Sequence, residues 1–250
     1  MNCNDLARSV TKAGMILLES GAETYRVEDT MKRICFAYGA QVVDSYATPT
    51  LIIISFSLDN ELCHNIKRTQ LKSVDINKID QVNDLSRSLS NHQIPLEEFH
   101  QKLIDIDNQK KYSDLIMIIG AAICTFGFAL FFGGSFKDAL SAFIIGGIIK
   151  TMNLKLDVFE MNSFFKYLIS GALATFLSIL FNYLGICQNL DTTIISVDML
   201  LVPGLAITNA MRDTVDGNLV SGMARAMEAI FIAVAIAIGS ALIFMMLGGY

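Results

Sequence analysis

The chain has 250 residues, 53% of them hydrophobic, a mean hydropathy of +0.49 and a formal net charge of −5 at pH 7. The negative charge and the lack of basic runs with interleaved aromatic residues argue against nucleic-acid binding. The N-terminus lacks the charged and apolar regions of a signal peptide, so we expect none.

Cysteine and histidine spacing predicts no metal site and no bound cofactor, because these residues do not fall at ligand spacing. We interpret the cysteines as buried or idle thiols of a reducing compartment. The residues concerned are Cys3, Cys35, Cys63, Cys124, Cys187, His64, His92 and His100.

Hydropathy divides the chain into two halves. Up to about Tyr112 the sequence is polar and mixed in charge, whereas beyond Asp114 it is mostly apolar and keeps only six of the 19 Lys and Arg residues. About 110 residues can bury a core of their own. We therefore predict an N-terminal domain over residues 1–112 and a membrane domain over residues 113–250.

The periodicity of the first half predicts an α+β domain. Two helix-period segments each end at a glycine, Gly21 and Gly39, which favours helix termination there. The β-branched run at residues 50–57 is typical of a buried strand. The predicted elements are helices at Leu6–Ser20 and Glu23–Tyr38, strands at residues 41–46, 50–57 and 63–72, and helices at Asn77–Ser90 and Leu96–Asn108.

Residues 20–30 are unusually dense in polar groups. Glu23 and Arg26 lie one helical turn apart, and Glu28 and Thr30 follow, so a charge network on one helix face is feasible. Two interpretations stay open. The segment is either a solvated helix start with Glu near the positive end of the dipole, or a polar cluster that faces a substrate route or a catalytic cleft.

Nucleophilic catalysis has little support in the first half. Ser55 and Ser57 lie on a predicted strand, with His64 as the nearest base in sequence, but no G-x-S-x-G turn surrounds either serine. The sequence therefore does not indicate an enzyme.

Five apolar segments predict an all-α membrane domain of five transmembrane helices, since a span needs about 20 apolar residues. The second segment qualifies only if Lys137 and Lys150 extend to opposite interfaces. The segments are residues 115–132, 136–154, 167–186, 193–211 and 223–247.

Loop charge orients these segments. Lys and Arg cluster before the first segment, after the second and after the fourth, whereas the opposite loops hold Lys137 and mostly neutral or acidic residues. The positive-inside bias predicts a multi-pass protein of the plasma membrane with a cytoplasmic N-terminus and an external C-terminus.

The fourth segment contains a helix breaker. Pro203 removes a backbone donor and Gly204 permits unusual dihedral angles, so the segment is either a discontinuous helix that exposes backbone groups or a simple kink. Asp198 precedes the break by about one turn. It is either a proton-coupling group or an interfacial residue.

Charged residues follow the break at the predicted cytoplasmic side. Arg212 and Asp213 lie at the end of the fourth segment, and Arg225 and Glu228 are spaced i,i+3 as the fifth begins. They form either an inner gate, in which an arginine receives a substrate carboxylate, or an interfacial network that fixes topology. Thr208, Asn209 and Asn218 add neutral groups suited to an amino or hydroxy acid. Asn209 and Asn218 could equally cap helix ends.

Three stretches together resemble the threonine/serine exporter (ThrE-type) family over nearly the whole chain. They are Lys12-Ala-Gly14 with Ser20-Gly-Ala-Glu-Thr-Tyr-Arg-Val-Glu-Asp-Thr30, then Gly127-Phe with Phe132-Gly-Gly134 and Asp138, then Pro203-Gly204 with Asn209-Ala-Met-Arg-Asp213, Gly217-Asn218, Gly222 and Arg225. Fused members carry a second membrane block. The resemblance therefore identifies the larger, YjjP-like subunit of the split form.

The resemblance implies export of threonine and serine, or of dicarboxylates such as succinate, driven by an ion gradient together with a small YjjB-like membrane subunit. Because transporters built from repeats place their site where two halves meet, we also expect a homo-oligomer, a partner membrane subunit, or both. The alternatives are a membrane-tethered hydrolase and a sensory protein, each with its activity in the N-terminal domain.

Overall fold

The computed structural model describes residues 2–70, 74–91, 94–109, 112–159 and 161–247. In chain order its elements are α1 (Cys3–Glu19), α2 (Thr24–Ala37), β1 (Gln41–Thr48), β2 (Leu51–Leu58), β3 (Glu61–Arg68), α3 (Ile76–Asn91), α4 (Leu96–Asp107), α5 (Asp114–Phe131), α6 (Phe136–Val158), α7 (Ser163–Tyr183), α8 (Leu190–Asp198), α9 (Gly204–Val215) and α10 (Leu219–Met246). Two units divide the chain: Met1–Lys110 with Leu205–Ala226, and Lys111–Gly204 with Met227–Tyr250.

The first unit contains the predicted α+β arrangement. Its sheet is an antiparallel meander in the order β1-β2-β3. The central strand alternates, with Ile52, Ile54 and Phe56 fully buried, and α1 and α2 contribute Leu17 and Met31 to the same core. The inward-facing alternate residues of the strand and the apolar stripes of the two helices therefore pack into one hydrophobic core.

Strand and helix boundaries differ little from the prediction. The first strand extends to Thr48 and the third ends at Arg68, earlier than the predicted residue 72. Residues 71–73 of that prediction lie outside the described residues, as does His92.

The cysteine prediction is wrong for one pair. Cys3 at the start of α1 and Cys63 in β3 form a disulfide, with Cα atoms 5.9 Å apart. The contact of α1 with β3 brings them together across 60 residues of sequence. Cys35, Cys124 and Cys187 are free thiols.

Four helices of the described residues are long and apolar enough to span a membrane: α5, α6, α7 and α10. The predicted fourth span is divided into α8, of 9 residues, and α9, of 12 residues. Each is too short to cross about 30 Å of hydrocarbon alone, because a helix rises 1.5 Å per residue. Five transmembrane helices are therefore not confirmed, and the predicted interruption at Pro203-Gly204 is present.

Small residues set the helix packing of the second unit. A Cβ on Gly239 of α10 would lie 2.1 Å from the Leu168 carbonyl oxygen of α7, and one on Gly171 would lie 2.7 Å from that of Ile236. These glycines let two backbones approach closely, which supports helix association where lipid removes the hydrophobic drive.

Asp138 at the start of α6 fixes a loop of the same unit. One carboxylate oxygen accepts from the backbone N–H groups of Gln188 and Asn189, and the other accepts from the N–H and hydroxyl of Ser135. The buried charge is thereby satisfied, and the turn before α6 is tied to the loop before α8.

We predict that Gly239→Ala destabilises the protein by about 1 to 3 kcal/mol, because the new methyl group collides with backbone that cannot move aside. The matched control is Gly127→Ala in α5, where the added Cβ meets nothing within 4 Å. This control should leave the stability unchanged or slightly raised. Thermal unfolding in detergent, followed by circular dichroism, makes the comparison. Equal melting temperatures for the two variants would contradict it.

Candidate functional site

The candidate site is built around the turn between α1 and α2. Gly21 adopts a φ of +90°, which lets the chain reverse after α1. Glu23 occupies the N-cap position of α2, but its side chain makes no cap hydrogen bond. The first N–H groups of α2 therefore need acceptors from elsewhere in the protein.

Residues of α9 and α10 hold the carbonyl groups of this turn. The side-chain amide of Asn209 donates to the carbonyl oxygen of Gly21 at 2.8 Å. Nη2 of Arg225 donates to the carbonyl oxygen of Ala22 at 2.7 Å. Two polar side chains, both buried, thus satisfy backbone groups that the turn exposes.

Asp213 supplies the missing cap of α2. Its Oδ1 accepts from the backbone N–H of Thr24 at 2.9 Å, and its Oδ2 accepts from the Thr24 hydroxyl at 3.0 Å. Nε of Arg225 lies 3.1 Å from the same Oδ2. The side chain of Asp213 is 0% exposed, so its charge is compensated by a helix N-terminus and a buried guanidinium.

Glu23 joins two arginines at the edge of the same turn. It forms ion pairs with Arg212 and with Arg26, whose Nε lies 3.2 Å from Oε2. Burial alone would raise the pKa of Glu23, but hydrogen bonds from its own backbone N–H and from Arg212, with the charges of both arginines, lower the pKa below its ordinary value. The Arg212 side chain is 59% exposed, so this pair is open to solvent on one side.

We call this group the turn cluster. It joins residues predicted separately in two stretches of the sequence, some 189 positions apart. Its members are Glu23, Thr24, Arg26, Asn209, Arg212, Asp213 and Arg225. Thr24 was not among the predicted site residues, although it lies next to Glu23 in the stretch that resembles the exporter family; these two signals could have found it.

Two predicted members of the N-terminal polar cluster lie outside the turn cluster and make different contacts. Glu28 accepts a hydrogen bond from the backbone N–H of Ala47 at 2.8 Å, and Thr30 donates to the side-chain oxygen of Asn83 at 3.1 Å. Burial, opposed by the bond from Ala47, raises the pKa of Glu28. These contacts join α2 to β1 and to α3.

The remaining predicted residues are distributed over both units. Asn218 precedes α10 in the first unit, and its backbone N–H donates to the carbonyl oxygen of Asp213 at 2.8 Å. Asp198, Pro203 and Gly204 belong to the second unit, as does Glu228, which is exposed. Arg225, in the first unit, pairs with Asp213.

Asp198 ends α8 with one carboxylate oxygen buried. None of the described residues donates a hydrogen bond to that Oδ1. A buried acceptor left without a partner is costly, so such groups are found where a proton or a ligand can satisfy them.

Two pairs of serine and histidine lie close together in the first unit. Ser55 lies directly opposite His64 in the sheet, with no hydrogen bond between these side chains. Ser9 lies 3.0 Å from Nδ1 of His100, but it is buried in α1 and also donates to the carbonyl oxygen of Asp5. His100 is a base within reach of Ser9, but none of the described carboxylates is hydrogen-bonded to its ring, so this pair lacks the orienting acid of a catalytic triad.

Comparison with known proteins covers nearly the whole chain. A family described as "Putative threonine/serine exporter" matches residues 8–247. A "Probable threonine/serine exporter" of Mycobacterium tuberculosis is 21% identical over 90% of this chain, which spans 43% of that protein's length. The "Probable succinate transporter subunit YjjP" of Klebsiella aerogenes is 20% identical over 94% of this chain and 91% of its own length.

The corresponding YjjP protein of Escherichia coli K12 is 20% identical over 88% of this chain and 86% of its own length. The chain thus spans less than half of one relative and nearly all of the others. No solved structure matches it.

Two carboxyl groups of the first unit should show opposite pH dependence. The pKa of Glu23 is lowered, so its ionised form stabilises the fold above the ordinary pKa of 4.5, and this stabilisation is lost as pH falls. We predict that Glu23→Gln costs about 1 kcal/mol near neutral pH. The deficit should shrink below pH 4.5.

Glu28→Gln is the matched variant with the opposite sign. The pKa of Glu28 is raised, so protonation on acidification stabilises the wild type, and this gain is lost as pH rises through the raised pKa. The variant should therefore compare best with the wild type at neutral pH and worst in acid. Melting temperatures between pH 3 and pH 7 test both, and parallel curves for the two variants would refute the assignment.

Proposed function

Because the chain belongs to the threonine/serine exporter family, we propose that it is a subunit of a membrane exporter for small carboxylate-bearing metabolites. The observation that supports this most directly is the turn cluster, in which Arg212 and Arg225 are presented beside one polar turn. The substrate class in our proposal is threonine and serine, or dicarboxylates such as succinate. All of these carry a carboxylate, which an arginine fork recognises through paired charge-assisted hydrogen bonds.

Arg212 is our candidate for the first contact with substrate. Its guanidinium offers five donors, is more than half exposed and is engaged by Glu23. If a substrate carboxylate replaced Glu23 as the partner of Arg212, the charge of the guanidinium would stay compensated. Asn209 adds a neutral amide suited to a hydroxyl or amino group, and Asn218, Asp213 and Glu228 complete the proposed gating set.

Asp198 is our candidate for coupling to an ion gradient. Its buried, unpartnered oxygen stands directly before the break between α8 and α9. Broken helices with acidic groups provide ion and substrate sites in transporters built from repeats, because their free backbone groups point into the break. We therefore assign a coupling role to Asp198 and a role in shaping the pathway to Pro203 and Gly204.

A second membrane subunit is part of the proposal. Relatives of similar length are named transporter subunits, and the relative named an exporter is more than twice as long as the stretch that this chain matches. We propose a small YjjB-like partner, an oligomer in the plasma membrane, a cytoplasmic N-terminus and an external C-terminus. A hydrolytic or sensory role has no comparable support, and the relatives are named as transport proteins.

Transport in proteoliposomes tests the proposed role of Arg212. Labelled threonine, serine and succinate are offered to vesicles that hold this chain with its partner. We expect Arg212→Gln to lower the initial rate about tenfold or more, because one charge-assisted contact is worth about 1.5 to 3 kcal/mol. Arg87→Gln is the control, since Arg87 is an exposed arginine paired with Asp84 on α3.

Equal rates for the two arginine variants would overturn the proposed role of Arg212. Failure of the wild type to move any of these substrates, with correctly inserted protein, would overturn the exporter proposal itself.

The coupling role is tested by substitution of Asp198. We expect Asp198→Asn to abolish the accumulation of substrate driven by a pH gradient, because the amide cannot bind and release a proton as a carboxylate does. Exchange of labelled substrate across the membrane should continue. Unchanged gradient-driven accumulation would contradict the assignment.

A further inference from the structure

We propose that a groove between α5 and α6 binds one anionic phospholipid, with an acyl chain in the groove and the headgroup beside Lys155. The groove lies within the second unit, on two helices that are long and apolar enough to span a membrane. Its proposed occupant is neither substrate nor partner subunit, so the inference goes beyond the export function and does not depend on it.

One face of α6 forms most of this groove. Ile144, Ile148 and Met152 follow one another at intervals of four residues, which places them on one side of the helix, and α5 contributes Ile118. The hydroxyl of Thr151 donates to a backbone carbonyl of α6 at 2.8 Å, so it is already used within the helix. The groove is therefore an apolar surface that the neighbouring helix leaves open.

Gly147 forms the floor of the groove. At the preceding Gly146, α5 packs tightly, since a Cβ there would lie 2.3 Å from Oγ1 of Thr125. At Gly147 the nearest atoms to an added Cβ belong to Ala122 and Ile118, each at 3.8 Å. The contact between the two helices therefore ends at Gly146, and the missing side chain of Gly147 gives the groove its depth.

The dimensions fit one hydrocarbon chain. From residue 144 to residue 155 the groove follows α6 for about 16 Å, which is about half of the 30 Å hydrocarbon core and thus the depth of one leaflet. Its volume is about 490 Å³. A helix of that length and about 10 Å across would occupy about 1,250 Å³, more than twice as much. An acyl chain can therefore lie in this groove, whereas a helix of a partner subunit cannot enter it.

Lys155 supplies a positive charge at one end of the groove. Its side chain is exposed, and no carboxylate in the part of the chain that the structure describes pairs with it. Asp157, the nearest acidic residue along α6, pairs with Lys166. An anionic headgroup is the complementary group that a membrane supplies to such a lysine.

The position of Lys155 along α6 agrees with the level of the headgroups. Lys137 and Lys155 lie near opposite ends of the helix, about 27 Å apart along its axis, which is close to the thickness of the hydrocarbon core. Each ammonium group can thus reach one interface while its stem covers apolar surface. A lipid whose headgroup contacts Lys155 would direct its chain along the groove toward the middle of the membrane.

Native mass spectrometry of the full chain in detergent tests the charge contact. During titration with dioleoyl phosphatidylglycerol we expect one molecule to bind more tightly than the rest. Lys155→Gln should weaken its binding about fivefold, because it removes one lysine near the membrane surface. Lys137→Gln is the matched control, since it removes the same charge at the other end of α6, and it should leave the binding unchanged. Dioleoyl phosphatidylcholine should bind the wild type less tightly than the anionic lipid.

Substitution of Gly147 tests the acyl-chain contact. Gly147→Leu should abolish the tight binding of dioleoyl phosphatidylglycerol, because the new side chain fills the groove. Gly147→Ala is the control, since its methyl group makes only ordinary contacts at the floor, and it should retain most of the binding. If Gly147→Leu is recovered only as aggregate, the two lysine variants decide the question alone.

Equal weakening by Lys155→Gln and Lys137→Gln would rule out the site, because binding would then follow net charge alone. Binding of glycerol phosphate as tightly as the lipid would also rule it out, since this anion carries no acyl chain. Loss of a co-purifying membrane subunit from Gly147→Leu, with unchanged lipid binding, would assign the groove to a protein helix instead. These measurements need no transport, so their failure is distinguishable from failure of the exporter proposal.

Discussion

The first unit depends on one fully buried carboxylate, that of Asp213, whose charge must be compensated within the protein. Removing an ion from water costs several kcal/mol, and the cost is met only by good geometry and full hydrogen bonding. Asp213 obtains both from Thr24 and Arg225. Because its partners lie at the start of α2 and in α10, the charge ties residues from opposite ends of the sequence together. This explains why Leu205–Ala226 groups with Met1–Lys110.

The two arginines of the turn cluster differ in what their surroundings permit. Arg225 is buried and donates a hydrogen bond to a backbone carbonyl, so its position is fixed. Because little water screens it, its charge interacts strongly with that of Asp213. Arg212 is largely exposed, so its pair with Glu23 is screened by water and salt. The exposed pair can open at small cost, whereas opening the buried pair would leave two uncompensated charges in the interior. The cluster therefore has one labile ion pair and one fixed ion pair.

Local patterns in the sequence predicted the helices and the central strand, because alternation and helical periodicity are local properties. They did not predict the Cys3–Cys63 disulfide or the meeting of Glu23 with Arg212, since both depend on long-range packing. The count of five spans was not confirmed because hydropathy measures apolar content and not continuity, and the backbone leaves the helix after Asp198. Candidate residues of the site were identifiable by type, whereas their pairing and the part played by Thr24 were not.

Burial makes the pair of Asp213 and Arg225 intolerant of any change in charge. Removing one partner of a buried ion pair leaves the other ion uncompensated, at a cost of about 3 to 5 kcal/mol. The pair of Arg212 and Glu23 lies at the edge of the same turn and is open to solvent, so its opening costs far less. The buried pair therefore positions the turn, whereas the exposed guanidinium can change partners. For this reason we assign the first contact with a substrate carboxylate to Arg212 and not to Arg225.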